Sequence, residues 1–294
     1  MSDGGRIIAA LGNSSCRLAL VEGAAVTHIE SFTHAAWREG GRVRAWIALH
    51  GTRVPAGICS VVPEMTAMAV THFDAMGQPH TMLRVADAHA MHVEYDPPAA
   101  LGIDRYCAAV GARVLCGSPV IAVDFGTAIT VNVVDARGVF IGGAILPGYA
   151  AALRSLHAST ALLPALNPPA VDPLALNPGE LASADVTVQA GSLIGRTTED
   201  AMRLGVRHVL ARGVRDYVGA IAMALVDKHG ALHARNRNCG SETPVYADAV
   251  PMLCTGGGAE HFLAMQMGGW RHHPGLVFVG GAEELRHLEA PNTL

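Results

Sequence analysis

The sequence predicts an α/β protein built from two duplicated domains, and three observations carry that expectation. A strand–turn–strand pattern occurs twice, at residues 7–20 (IIAALGNSSCRLAL) and at residues 121–131 (IAVDFGTAITV). Each occurrence lies in a run of three β-prone stretches separated by turn residues, which reads as a meander. Each meander is followed by helical and further strand segments, the layout of a repeated α/β unit.

The first meander runs RIIAAL, then GNS, then SCRLALV, then EGA, then AVTHIESF. Residues 101–116 (LGIDRYCAAVGARVLC) place apolar and small residues at helical spacing and stop at Gly117, which makes them the connecting helix. The halves are therefore set at 1–117 and 118–294. From Pro119 the second meander reads PVIAVD, FG, TAITVNVV, DARG and VFIGGAIL. A helix over AALRSLHAST follows Pro147 and leads into a proline-rich stretch, residues 163–183, expected to be a surface excursion because proline cannot sustain regular hydrogen bonding. From Thr197 to Val226 a long helix is predicted: Thr197 or Thr198 caps it, and Glu199 and Asp200 suit its positive end. Val206, Val209, Leu210, Val214, Tyr217, Ile221 and Leu225 form its apolar stripe, while Gly205, Gly213 and Gly219 allow a neighbour to approach closely. Residues 250–265 (VPMLCTGGGAEHFLAM) and 276–288 (LVFVGGAEELRHL) each read as strand, glycines, helix.

Composition narrows the function classes. Charged residues make up 16% of the chain and the formal net charge is −4, so no basic field favours nucleic acid or an anionic membrane. The six cysteines are scattered without a CxxC pair, as expected of free thiols in a reducing cytosol. No basic leader and no long apolar run is seen, so a soluble cytoplasmic protein is expected. Fifteen histidines carry no metal-binding spacing, and solvated or core histidines are the expectation.

The two glycine turns carry the chemistry. Gly12-Asn13-Ser14 and Gly126-Thr127 each offer a close backbone approach beside amide or hydroxyl groups, which suits phosphate oxygens. Asp124 adds a carboxylate two residues before the second glycine, where the first turn has Ala10. Paired turns of this kind are how actin-like ATPases and sugar kinases grip a nucleotide, so the pattern suggests phosphoryl transfer. An ordinary hairpin with Asp124 bonding its own turn remains the structural alternative. Asp104-Arg105, at the start of the connecting helix, reads either as an N-cap beside a solvated arginine or as a base beside a carboxylate-binding guanidinium. Strand-to-helix packing explains Thr255-Gly256-Gly257-Gly258 as well as ligand contact does, and helix capping accounts for Thr198.

Taken together, six ordered blocks resemble the type III pantothenate kinases: GNSSCR at 12–17, YDPPAALGIDR at 95–105, DFGTAIT at 124–130, GGAILPGY at 142–149, IGRTTEDAMRLG at 194–205 and TGGG at 255–258. The resemblance implies two ribonuclease H-like (actin-like ATPase) domains with a nucleotide cleft between them, and ATP-dependent phosphorylation of pantothenate, the first step of coenzyme A biosynthesis. It makes Asp104 the general base for the pantothenate hydroxyl, with Tyr95, Gly102 and Arg105 holding pantothenate. Asp124, Gly126 and Thr127 would face phosphates and cations, and Gly12, Asn13, Ser14 and Arg17 would form the opposite phosphate loop, with Arg17 in place of the family's usual lysine. Gly256 and Gly257 would lie near adenosine, and Thr198 would reach the pantothenate site of the other subunit of a homodimer. Mg²⁺ with ATP, and a monovalent cation, K⁺ or NH₄⁺, are implied in the same way. Ala10 stands where the family's first block begins with aspartate, leaving Asp124 as the carboxylate for the metal. Two alternatives stay open: a catalytically weak or inactive homologue acting as a regulatory protein, favoured by Ala10, and a related kinase acting on another small hydroxylated acid, disfavoured by the block from Tyr95 to Arg105.

Overall fold

A computed structural model of the chain describes residues 4–51, 54–166, 194–228, 250–259 and 269–290. The alternating β-prone runs form two five-stranded sheets. In the first, β1 (Arg6–Leu11), β2 (Cys16–Glu22) and β3 (Ala25–Phe32) form the expected antiparallel meander. The helices α1 (His34–Glu39) and α2 (Gly41–His50) follow. β4 (Ala56–Ser60) then pairs parallel to β1, and after α3 (Pro63–Ala75), β5 (His80–Met82) pairs parallel to β4. The order is β3-β2-β1-β4-β5.

Strand alternation sends Ile7, Ala9 and Leu11 to one face, with Leu18 and Ile58, against Trp37, Ile47, Met65 and Phe73 of α1–α3. Each such large side chain contributes about 1.5–3 kcal/mol by leaving water.

The connecting helix α4 spans Ile103–Cys116 and ends at Gly117, as its spacing predicts. Beyond it, β6 (Val120–Phe125), β7 (Ala128–Val134) and β8 (Phe140–Pro147) form the second meander. They are joined by β9 (Met252–Thr255) and β10 (Trp270–His272) in the order β10-β9-β6-β7-β8. Meander strands three, two and one, followed by two later strands, give the same order in both sheets, the duplicated ribonuclease H-like design.

Between β8 and β9 lie α5 (Tyr149–Ala158) and the long α6 (Thr198–Lys228). The buried stripe of α6 differs in part from the predicted one. Ala211, Val214, Val218, Ala222 and Leu225 point inward, whereas Val209 is 71% and Tyr217 45% exposed. No described helix is long and apolar enough to cross a membrane. Of the proline-rich stretch, residues 167–183 lie outside the described residues, as does Cys239; the other five cysteines are free thiols.

Residues 276–288 correct the expected strand–glycine–helix. They belong to one continuous helix, α7 (Leu276–Glu289). Its glycines serve helix crossing: a Cβ on Gly280 would lie 1.8 Å from the Cys107 carbonyl oxygen, and one on Gly111 would lie 2.1 Å from that of Leu276. α7 therefore meets α4 backbone to backbone. Gly281 and Leu285 of α7 also approach Ile8 and Gly57, covering the sheet face opposite α1–α3.

The compact units are not separated by one cut after residue 117. One comprises Met1–Ala122, Asn132–Gly143 and Gly275–Leu294, the other Val123–Val131 and Ala144–Pro274.

Candidate active site

In the first unit a short paired segment leads into α4. Phe140 donates its N–H to the His92 carbonyl (2.9 Å) and accepts from Glu94 N–H (2.8 Å), which holds residues 92–95 beside β8. Tyr95 then meets Phe140 edge-on, with ring centroids 6.1 Å apart. Gly142 faces the Tyr95 ring, and its φ of +116° lies in a region that favours glycine.

Gly102, not Asp104, occupies the N-cap of α4, which corrects the N-cap reading of Asp104. Asp104 stands one residue inside the helix, where its Oδ1 accepts the Arg105 N–H at 2.8 Å. A Cβ on Gly102 would fall 2.5 Å from that oxygen, so the glycine makes room for the carboxylate. Partial positive charge at the helix start favours an anion here.

Arg105 follows, 7% exposed. Its Nε donates to Asn132 Oδ1 at 2.8 Å, and its Cζ lies 5.7 Å from the Tyr95 ring centre and 5.8 Å from that of Phe140. The alternative of a solvated arginine is thus set aside: Arg105 is a buried cation held by an amide and two rings. Tyr95, Gly102, Asp104 and Arg105 lie together, and Asn132 and Phe140 join them. A polar residue inside the apolar run TAITVNVV was the available signal for Asn132.

The first glycine turn closes with Gly12 N–H donating to Ser15 O at 3.0 Å, and His34 Nε2 lies 3.0 Å from the Gly12 carbonyl oxygen. Asn13 and Ser14 are exposed. Arg17 pairs directly with Ala10 across β1 and β2, and its Cζ sits 5.1 Å above the Phe278 ring.

In the second unit, three backbone hydrogen bonds fix residues 124–127, two of them from distant stretches. Gly126 N–H donates to Ala128 O (3.1 Å), Gly148 N–H to Thr127 O (3.0 Å) and Gly258 N–H to Phe125 O (2.8 Å). A Cβ on Gly256, whose φ is +90°, would lie 2.2 Å from Asp124 Oδ1. Asp124, Gly126, Thr127, Gly256 and Gly257 are therefore neighbours. Neither Gly12 nor Gly126 has a left-handed φ, and a Cβ on either would stay 3.5 Å or more from the surroundings. Neither turn requires its glycine internally; what a side chain there would obstruct is the outward approach.

A family model of type III pantothenate kinases matches residues 7–220. The chain belongs to that family. The Halorhodospira halophila type III pantothenate kinase is 31% identical, with 96% of this chain and 98% of the relative covered. The Chlorobaculum parvum enzyme is 28% identical, at 97% and 95% coverage. A Campylobacter jejuni structure assigned to the Baf family of transcriptional activators shares the fold, with a TM-score of 0.53 at 16% identity and coverage of 96% and 98%.

Two further observations bear on the type III pantothenate kinase site. Thr197, rather than Thr198, caps α6: its Oγ1 accepts Asp200 N–H (3.1 Å) and donates to Asp200 Oδ2 (2.8 Å). Capping therefore does not account for Thr198, whose side chain is exposed. Asp124 offers carboxylate oxygens, donors of the kind a hard divalent cation takes, and Thr127 carries a hydroxyl three residues on. No group of three or more His, Cys, Asp or Glu positioned for a metal occurs among the described residues. A cation bound here would accordingly take its remaining ligands from phosphate and water.

Proposed function

We propose that this chain transfers the γ-phosphoryl group of ATP to the primary hydroxyl of pantothenate, giving 4′-phosphopantothenate and ADP. One observation carries the assignment within the family: the Asp104 carboxylate and the buried Arg105 guanidinium are adjacent at one helix start, beside Tyr95. A small hydroxy acid needs both groups, one to take the hydroxyl proton and one to hold the carboxylate. Asp104 accepts the proton as the hydroxyl oxygen bonds to phosphorus and the bond to ADP breaks. Arg105, Tyr95 and Gly102 hold pantothenate.

In this reading Gly12, Asn13, Ser14 and Arg17 bind phosphate, as do Gly126 and Thr127, and Gly256 and Gly257 bind the adenosine. Mg²⁺ held at Asp124 would supply charge neutralisation on the phosphates. A monovalent cation, K⁺ or NH₄⁺, belongs to the same reading. So does a cytoplasmic homodimer in which Thr198 of the partner subunit completes the pantothenate site; the exposed Val209, Tyr217 and Met223 on α6 support such an interface.

The test is direct: incubate the purified protein with ATP, Mg²⁺, K⁺ and labelled pantothenate, and resolve the products. Phosphorylated pantothenate is expected. Binding of pantothenate without product would replace this reading with the non-catalytic homologue.

A further inference from the structure

Asn132 lies on β7 between Val131 and Val133 and has no exposed surface. An amide taken out of water is unfavourable without a hydrogen-bonding partner, and a β-branched residue would serve the sheet better. Its Oδ1 accepts from Arg105 Nε at 2.8 Å, a bond to a charged donor reaching 27 residues along the chain.

Tyr95 and Phe140 both lie within cation–π distance of the same guanidinium. Ring contacts restrain where a planar cation sits but tolerate rotation in its own plane. A directional bond at Nε opposes that rotation and favours one orientation of the outer edge of the fork. Because the acceptor is a neutral amide, this bond orients the cation without cancelling its charge.

We infer that Asn132 is the positioning residue for the Arg105 guanidinium, and that it thereby sets the preference of the site for a carboxylate-bearing substrate over its neutral analogue. This rests on Arg105 being the carboxylate partner in the proposed reaction.

The test compares full-length wild type, Asn132→Leu and Asn132→Asp with two substrates: pantothenate, and pantothenamide, in which a carboxamide replaces the carboxylate. Wild type is expected to prefer pantothenate. Asn132→Leu removes the acceptor, whereas Asn132→Asp keeps an acceptor of the same shape and places an anion against the cation. The latter also serves if the leucine variant does not fold. Each folded variant is expected to lose about tenfold or more of the preference in kcat/KM, through KM for pantothenate, with KM for ATP and turnover of the amide held within about twofold. Folded variants that keep the wild-type preference overturn the inference alone. Equal losses on both substrates and on ATP also overturn it, since they show a purely structural role. A wild type that does not discriminate removes Arg105 as the carboxylate partner, and a wild type without product removes the kinase reading; either takes the inference with it.

Discussion

The Asp104 carboxylate owes its place to two neighbours: the Arg105 N–H, which it accepts, and Gly102, which leaves it room. Asp104→Asn keeps the shape but cannot take the proton. Turnover is expected to fall by about 10²-fold or more while pantothenate affinity, read by calorimetry, stays near wild type. Ala10 is a different matter. Cross-strand partners point to the same face, so an aspartate at position 10 would stand beside Arg17, about 5 Å away at the Cβ atoms. Ala10→Asp is therefore expected to pair with Arg17 and raise KM for ATP without lowering the Mg²⁺ concentration required. A lower Mg²⁺ midpoint in a titration of kcat/KM would show instead that the new carboxylate reaches the metal. At this scale the sequence was readable where residues act through near neighbours, as Gly102, Asp104 and Arg105 do. It marked Asn132 only as a polar residue in an apolar run and gave no sign of Phe140, since these reach Arg105 from β7 and β8.

Among elements, the crossing of α4 and α7 tolerates no side chain at its centre. Gly280→Ala puts a carbon against the Cys107 carbonyl, and the backbones must part. A loss of at least about 1–3 kcal/mol in denaturant unfolding is expected. The sequence read the first part of this helix as strand and turn because Val277, Phe278 and Val279 are good strand formers and paired glycines resemble a turn; packing against α4 overrides that propensity. The β7–β8 turn carries a pH dependence. Burial raises the pKa of Asp135, but hydrogen bonds from Val139 N–H and from the Arg137 side chain and N–H more than offset it, leaving the carboxyl below its ordinary value. A depressed folded value means stabilisation that is complete above the unfolded pKa, about 3.9, and is lost as pH falls through the lower folded value. The stability gap between wild type and Asp135→Asn should therefore be constant above about pH 5 and shrink below about pH 4, as chemical unfolding at pH 7, 4 and 3 would show.

Across the whole molecule, duplication was legible because two meanders repeat the same two-residue alternation and each opens on a glycine turn. The extent of the compact units was not, since it depends on α7 returning to the first sheet, a contact that local pattern does not encode. Assembly can be tested by complementation. If Thr198 of the partner subunit completes each site, Asp104→Asn and Thr198→Ala proteins, each poorly active alone, should recover activity when unfolded together and refolded. Random pairing gives mixed dimers with one intact site, about a quarter of wild-type activity; no recovery would count against the shared site. The return of α7 also matters during synthesis. The helix α4, which begins at Ile103, is finished about 160 residues before its packing partner begins. At about 5–20 residues per second, that leaves α4 and one face of the first sheet uncovered for about 10–30 s on the ribosome. A nascent chain at that stage carries Asp104, the proposed proton acceptor, but not the support beneath it; on that proposal catalytic competence arrives only with α7, and a prematurely released chain would expose apolar surface that chaperones recognise.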